Sequence, residues 1–272
     1  MSVAEAIRAA TERLSVTSGT ARLDAELLMA HALGMPRSDM LLRAMRDAVP
    51  DEFAAMLDRR TACEPVAHII GQQEFYGRSF RVTPDTLIPR GDSEVLVDAA
   101  LDCGADAAQV LDLGTGTGAL LLSVLAETGA EGVGVDSSAA ALAVAHDNAD
   151  ALGLEERARF YLLDWHQAGW SERLGRFDLI LCNPPYVEDD AELEPDVRKF
   201  EPAGALFAGP EGLDDYRVLI PQLRTLMNDG AAAILEIGHE QAGAVGEIAQ
   251  AQGFAVALRR DLANRPRALI LT

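Results

Sequence analysis

The chain has 272 residues, 49% apolar and 24% charged, enough for one large domain or one domain plus a small one. Its net charge of −20 and single lysine, Lys199, disfavour a protein that grips nucleic-acid phosphates through a basic stripe. No apolar run nears a bilayer span. The acid-bearing start Met1-Ser-Val-Ala-Glu-Ala-Ile-Arg8 is no secretory signal. The scattered Cys63, Cys103 and Cys182 predict reduced thiols in the cytoplasm and no metal site.

Residues 1–65 read as a small helical bundle. Val3, Ile7, Ala10 and Leu14 recur at helical spacing, as do Leu23, Leu27, Ala30 and Leu33. Gly34 with Pro36 ends the second segment, Ser38-Asp39 is placed to cap a third, and Pro50 suits the first turn of a fourth. Residues 66–90 read as a linker, with Phe75-Tyr76 and Phe80 to Val82 flanking a hairpin turn at Gly77-Arg78.

Residues 91–272 alternate strands and helices. Strands are expected at Val110–Leu113, Gly132–Asp136, Phe160–Asp164, Asp178–Cys182, Ala231–Ile237, Phe254–Leu258 and Ala268–Leu271. Helices are expected at Ala119–Glu127, Ser137–Leu152 and Asp214–Met227. Such alternation predicts an α/β fold with a doubly wound, mostly parallel seven-stranded sheet, Rossmann-like in kind.

Gly114-Thr115-Gly116-Thr117-Gly118 lies between the first of these strands and its helix, where missing side chains let a ligand approach the backbone. Gly114, Gly116 and Ala119 match G-x-G-x-x-G/A, a dinucleotide pattern that is weak alone. Asp136 ends the next strand, where an acid accepts ribose hydroxyls or caps the following helix. NAD and S-adenosylmethionine both carry that ribose. Asp112, just before the glycines, repels a pyrophosphate and suits a ligand bearing an ammonium and a sulfonium. Asp164 and Trp165 suit an adenine, by hydrogen bond and stacking, although Trp165 packing alone is an equal reading.

Phe177 to Cys182 is a short apolar run that stops at Asn183-Pro184-Pro185-Tyr186. The prolines end the ladder and hold the Asn183 amide at the carboxyl end of a central strand, where open α/β sheets bind ligands. A conjugated NH₂ is a poor nucleophile, because its lone pair is delocalised. The Asn183 side-chain oxygen and the Pro184 carbonyl can each accept one of its N–H groups, presenting the nitrogen to a methyl donor. Tyr186 offers a flat face. Adenine N6, cytosine N4 and a glutamine amide all qualify, and no residue is required as base.

The chain resembles the HemK/PrmC family, over nearly its whole length. The resemblance rests on Gly71-Gln-Gln-Glu-Phe-Tyr-Gly77, Leu87-Ile-Pro-Arg90, Leu111 to Gly118, Asn183 to Tyr186, Phe200-Glu-Pro202, Gly209-Pro-Glu-Gly-Leu-Asp214 and Glu236-Ile-Gly238. It implies a class I S-adenosylmethionine-dependent methyltransferase that modifies the side-chain amide nitrogen (N5) of the glutamine in the Gly-Gly-Gln motif of class I peptide chain release factors. Gly114, Thr115, Gly116, Thr117, Gly118, Asp136, Trp165 and Asn183 would contact the cofactor. Asn183, Pro184, Pro185 and Tyr186 would hold the glutamine amide, with Asn183, Pro184 and Tyr186 as the catalytic set. Residues 1–65 would help dock the protein substrate, and the enzyme is expected to act as a monomer without nucleic acid or membrane.

Three positions depart from the family pattern: Gly91 and Ser93 stand where Pro and Thr are usual, and His166 where an aromatic usually follows Trp165. A ribosomal-protein glutamine, adenine N6 of RNA or DNA, and a non-catalytic nucleotide-binding module are the alternative readings.

Overall fold

The computed structural model describes residues 1–104 and 106–272. It divides into two compact units, Met1–Gln72 with Leu193–Phe200, and Gln73–Glu192 with Glu201–Thr272.

The first unit is helical. Helix α1 (Val3–Leu14) opens on a capping box. Glu5 donates its N–H to Ser2 Oγ and returns its carboxylate to the Ser2 N–H at 2.8 Å. Val3, Ile7, Ala10 and Leu14 are all buried, the face their spacing predicts.

Helix α2 (Ala21–Ala32) buries Ala30 of the expected face, with Leu27 and Leu33 half-buried, but its inward face is centred elsewhere. Leu23 is 41% exposed, and Ala21, Ala25, Leu28 and Met29 are buried instead. Two acids go in with them. Asp24 accepts from Arg60 Nε at 2.7 Å, and Glu26 accepts from both Arg22 and Arg37 at 2.8 Å. A buried carboxylate is tolerated only when paired, and these distant partners are invisible to a count of apolar spacing.

Helix α3 (Arg37–Asp39) runs into a π-helical turn at Met40–Ala44. Its cap is Pro36, so Ser38 and Asp39 lie inside the helix instead of capping it. Helix α4 (Glu52–Thr61) is preceded by its cap Asp51, and Pro50 sits two residues before the first-turn position expected for it. Helix α5 (Val66–Ile70) occupies the start of the expected linker and counts with the helical unit.

The second unit begins in a hairpin of β1 (Gln72–Phe75) and β2 (Arg78–Arg81). Its turn is Tyr76-Gly77, one residue earlier than expected, with φ of 49° and 69°. Positive φ at both central residues is the twist that two-residue hairpins favour. Helix α6 (Glu94–Cys103) follows, and Glu94 and Asp98 bind the Tyr76 N–H and hydroxyl at 2.8 and 2.9 Å.

Then come β3 (Gln109–Leu113), α7 (Ala119–Glu127), β4 (Glu131–Asp136), α8 (Ala139–Leu152), β5 (Ala158–Leu162) and β6 (Phe177–Cys182). Helix α9 (Pro195–Phe200) belongs to the helical unit. The chain finishes with α10 (Asp214–Leu226), β7 (Met227–Glu236), α11 (Ala242–Ala251), β8 (Val256–Arg260) and β9 (Pro266–Leu271). Strand β5 ends before Asp164, and α8 starts two residues later than expected because Ser138 caps it.

The seven strands pair in the order β5-β4-β3-β6-β7-β9-β8, and only the pairings of β9 are antiparallel. This is the doubly wound, mostly parallel seven-stranded sheet that the strand–helix alternation predicts. Strand β3 pairs with β4 on one side and β6 on the other. The winding reverses there, and the crevice outside the carboxyl ends of those strands is where ligands bind in such sheets. The core lies on both faces: Leu111 and Ile180 pack toward Tyr216 and Leu223, while Val110 and Leu181 pack toward Leu121 and Leu96.

Candidate active site

Leu113 and Cys182 are register partners in the β3–β6 pair, so Gly114 and Asn183 leave adjacent strands side by side. The two motifs that stand 69 residues apart in sequence are thereby set together. They border one cavity of about 430 Å³ within the second unit.

The glycine loop is bonded mostly to its own fold. Gly114 and Thr115 donate their N–H groups to Val135 O at 2.9 Å, and Gly118 donates to Thr115 O at 2.7 Å. Gly116 donates to Asp136 Oδ2 at 2.9 Å. Four of the five loop amides are therefore turned away from an anionic ligand. Gly114 has φ 73°, and a Cβ there would stand 3.2 Å from Cη2 of Trp165. Only glycine lets the backbone take that turn beneath the indole.

Asp136 uses its other oxygen to accept from the Ser138 N–H at 2.9 Å. The helix cap proper is Ser138, which accepts from Ala141 N at 3.2 Å. Asp136 borders the cavity, and a carboxylate oxygen can accept more than one hydrogen bond. Burial raises its proton affinity, and the N–H groups of Ser138 and Gly116 counter that.

Asp112 is not on the cavity wall. It is buried below the loop, with Oδ2 accepting from Thr115 Oγ1 at 2.7 Å and Oδ1 unpartnered. Burial pushes its pKa up to about 7, with the charge of Asp136 adding to the effect and the Thr115 hydroxyl opposing it. The expected direct contact with a cationic ligand is corrected accordingly: the apolar strands on either side of Asp112 enclose it.

Trp165 lies on the wall and donates Nε1–H to Asp215 Oδ1 at 2.8 Å. His166 Nε2 stands 3.0 Å from the same oxygen. Asp215, in the first turn of α10, is 6% exposed and lines the cavity. The position where an aromatic was expected thus supplies an imidazole as a second partner to the carboxylate that orients the indole.

Among the described residues, no side chain bonds the Asn183 side-chain amide, and Asn183 and Pro185 both border the cavity. Gly118, Pro184 and Tyr186 do not. Gly118 is the left-handed residue that starts α7. Pro184 is buried. Tyr186 is half-buried, with its hydroxyl donating to Glu236 Oε1 at 3.2 Å. The flat face expected of Tyr186 is not part of the cavity wall.

Opposite the glycine loop, Arg90 forms an ion pair with Glu201, whose other oxygen accepts from Ile88 N at 3.3 Å. No local pattern assigns these two segments a joint role, because the partners are 111 residues apart. Asp215 and Glu236 were missed for the same reason. The one local signal was Glu236, an acid closing the apolar run Ala231 to Leu235.

The donor set suits a cationic adenosyl ligand better than a dinucleotide. Four aspartates, Asp85, Asp136, Asp164 and Asp215, border the cavity, and its one arginine is already paired. A pyrophosphate would meet carboxylates where it needs donors, at about 4 kcal/mol per unit-charge pair 4 Å apart near a protein surface. An ammonium and a sulfonium reverse that sign.

Residues 5–71 match the model of the PrmC N-terminal domain, and residues 105–231 match that of a methyltransferase domain. A release factor glutamine methyltransferase of Cereibacter sphaeroides is 44% identical over 98% of this chain and 97% of its own. Its counterpart from Rhodospirillum rubrum is 40% identical over 92% of this chain and 78% of its own. A methyltransferase solved with SAH is 16% identical with a TM-score of 0.54, covering 74% of this chain and 56% of that one, and shows the fold alone. With such relatives spanning both units end to end, the chain belongs to the release factor glutamine methyltransferase family.

Proposed function

We propose that this enzyme methylates the side-chain amide nitrogen (N5) of the glutamine in the Gly-Gly-Gln motif of a class I peptide chain release factor. The observation that carries the proposal is Asn183, held by a proline turn beside Gly114 on the cavity, its side-chain amide without a hydrogen-bond partner among the described residues. The glycine loop, Asp136 and Trp165 form the donor side of the cavity. Asp136 accepts ribose hydroxyls there, and the Trp165 indole, held by Asp215, packs against the adenosyl group. When bound, S-adenosylmethionine supplies an electrophilic methyl group.

Asn183 Oδ1 and the Pro184 carbonyl accept the two N–H groups of the substrate amide. That pair turns the nitrogen lone pair toward the donor side and stabilises the positive charge that develops on nitrogen. The proton leaves to solvent after transfer, so no side chain is assigned as base. A release-factor substrate implies work in the cytoplasm at translation termination. The helical unit helps dock that substrate, and the sequences of the relatives share this unit as well as the catalytic one.

Mass spectrometry of release factor incubated with enzyme and cofactor tests the reaction. The expected product carries one added methyl on the Gly-Gly-Gln glutamine; label found on RNA or on a ribosomal protein instead would refute the assignment. Asn183→Ala should lower turnover by about 100-fold or more, in the range of other lost transition-state contacts. Its cofactor affinity should stay within roughly tenfold of the parent. Equal losses in both would make Asn183 chiefly a cofactor ligand.

A further inference from the structure

Tyr186 ends the loop that carries Asn183, and it is held at three points. Its N–H donates to Leu206 O at 3.1 Å. Its carbonyl accepts from Gln241 Nε2 at 3.1 Å, and its hydroxyl donates to Glu236 Oε1 at 3.2 Å.

The two side-chain partners are built into the fold. Glu236 is the last residue of β7, one past Leu235, which is in register with Cys182 of β6. It is 1% exposed, and its main-chain carbonyl accepts from the Tyr216 hydroxyl at 2.7 Å. A carboxylate buried at the end of a central strand is costly compared with an apolar residue of similar size, so its retention here calls for a role. Burial pushes its pKa up to about 7, with the nearby charge of Arg267 among the influences that oppose the rise.

Gln241, just before α11, also donates to Gly212 O at 3.1 Å and accepts from Gly238 N at 3.0 Å. Gly212 has φ 63°, and a Cβ there would fall 2.3 Å from the Tyr186 carbonyl oxygen. The segment before α10 and the segment before α11 therefore close on the same peptide group.

We infer that Glu236 and Gln241 are positioning residues that fix Tyr186, and through it the Asn183–Tyr186 loop, in the geometry methyl transfer needs. As a statement about catalysis, this rests on the reaction proposed above. The coupling is mechanical. Pro184 and Pro185 each lock a φ, so little freedom separates a clamped Tyr186 from Asn183. A displacement of about 1 Å at a reacting group costs on the order of 100-fold in rate.

Three variants test the clamp. Glu236→Leu removes the acceptor for the Tyr186 hydroxyl at similar size, Glu236→Gln restores an acceptor oxygen, and Gln241→Met removes the donor at a half-buried site. Glu236→Leu and Gln241→Met are expected to lower kcat by about tenfold or more, with cofactor Kd and release-factor KM within about threefold. Glu236→Gln should recover most of the loss. In a Tyr186→Phe background, Glu236→Leu should add less than about twofold. An equal added loss in both backgrounds would make Glu236 a general packing residue and overturn the inference.

Hydrogen exchange on the full chain supplies a readout independent of turnover. The Tyr186 and Val187 amides, both bonded to Leu206 O, should exchange at least tenfold faster in Gln241→Met while β3 amides stay unchanged. Unchanged exchange at Tyr186 and Val187 overturns the clamp. A wild-type chain that shows no methyl transfer, yet shows the faster exchange in the variant, would refute the proposed reaction and leave the clamp standing.

Discussion

Asp112 offers the clearest link between a buried charge and a measurable curve. Its carboxyl is 1% exposed, beneath the glycine loop, and burial pushes its pKa from an ordinary 3.8 up to about 7. An acid whose folded pKa exceeds its unfolded pKa keeps its proton in the native chain after the unfolded chain has released it. Stability is then fully present below about pH 4, falls as pH rises toward 7, and is level above that. Each pKa unit corresponds to about 1.4 kcal/mol. Between pH 5 and pH 8, Asp112 thus removes about 3 kcal/mol of stability.

Asp112→Asn deletes this slope while keeping an oxygen to accept from Thr115 Oγ1. The new NH₂ inherits the unpartnered position of Asp112 Oδ1, at a pH-independent cost of about 1–3 kcal/mol. The informative quantity is therefore the change in the difference between the two proteins. Urea unfolding of cofactor-free protein at pH 5, 6, 7 and 8, followed by tryptophan fluorescence, measures it. Both tryptophans, Trp165 and Trp170, belong to the catalytic unit, so the signal reports that unit. The variant should gain about 3 kcal/mol relative to the parent from pH 5 to pH 8. Stability curves that run parallel across that range would show that Asp112 titrates as an ordinary carboxylate, and would refute the reasoning.

Gly114→Ala should cost about 1–2 kcal/mol for its positive φ; its methyl should also displace the Trp165 ring, lowering cofactor affinity at least tenfold by calorimetry, so unaltered affinity would count against the indole as a wall of the donor site. In the helical unit, Arg60→Ala leaves the buried carboxylate of Asp24 with only the Ser18 and Thr20 hydroxyls and no countercharge, and should destabilise that unit by about 3 kcal/mol, read as faster hydrogen exchange in α2 and α4. Adding Asp24→Asn should return part of that loss, and a double variant no better than Arg60→Ala would deny the pairing. Leu42 is 79% exposed on the helical unit; if that unit docks the release factor, Leu42→Glu should raise KM for the intact factor several-fold and leave KM for a short Gly-Gly-Gln peptide alone.

Much of this protein could be read from local pattern. Strand–helix alternation after Gln109 predicts the seven strands within a few residues, since a buried parallel strand needs a short apolar run and its crossover needs a helix. The glycines and the Asn183-Pro184-Pro185-Tyr186 turn were legible because each imposes a backbone constraint by itself. Pattern failed where energy came from partners remote in sequence. Helix α2 buries Asp24 and Glu26 in place of Leu23 because Arg60 and Arg37 neutralise them. Tyr186 lies off the cavity wall because Glu236 and Gln241, about 50 residues later, hold it. Asp112 is enclosed, not exposed to ligand, because β4 and β6 flank β3 on either side. The sequence alone determined which residues end the strands; sheet order decided that Gly114 and Asn183 are neighbours, because hydrogen-bonded pairing of β3 with β6 joins segments that no local rule connects.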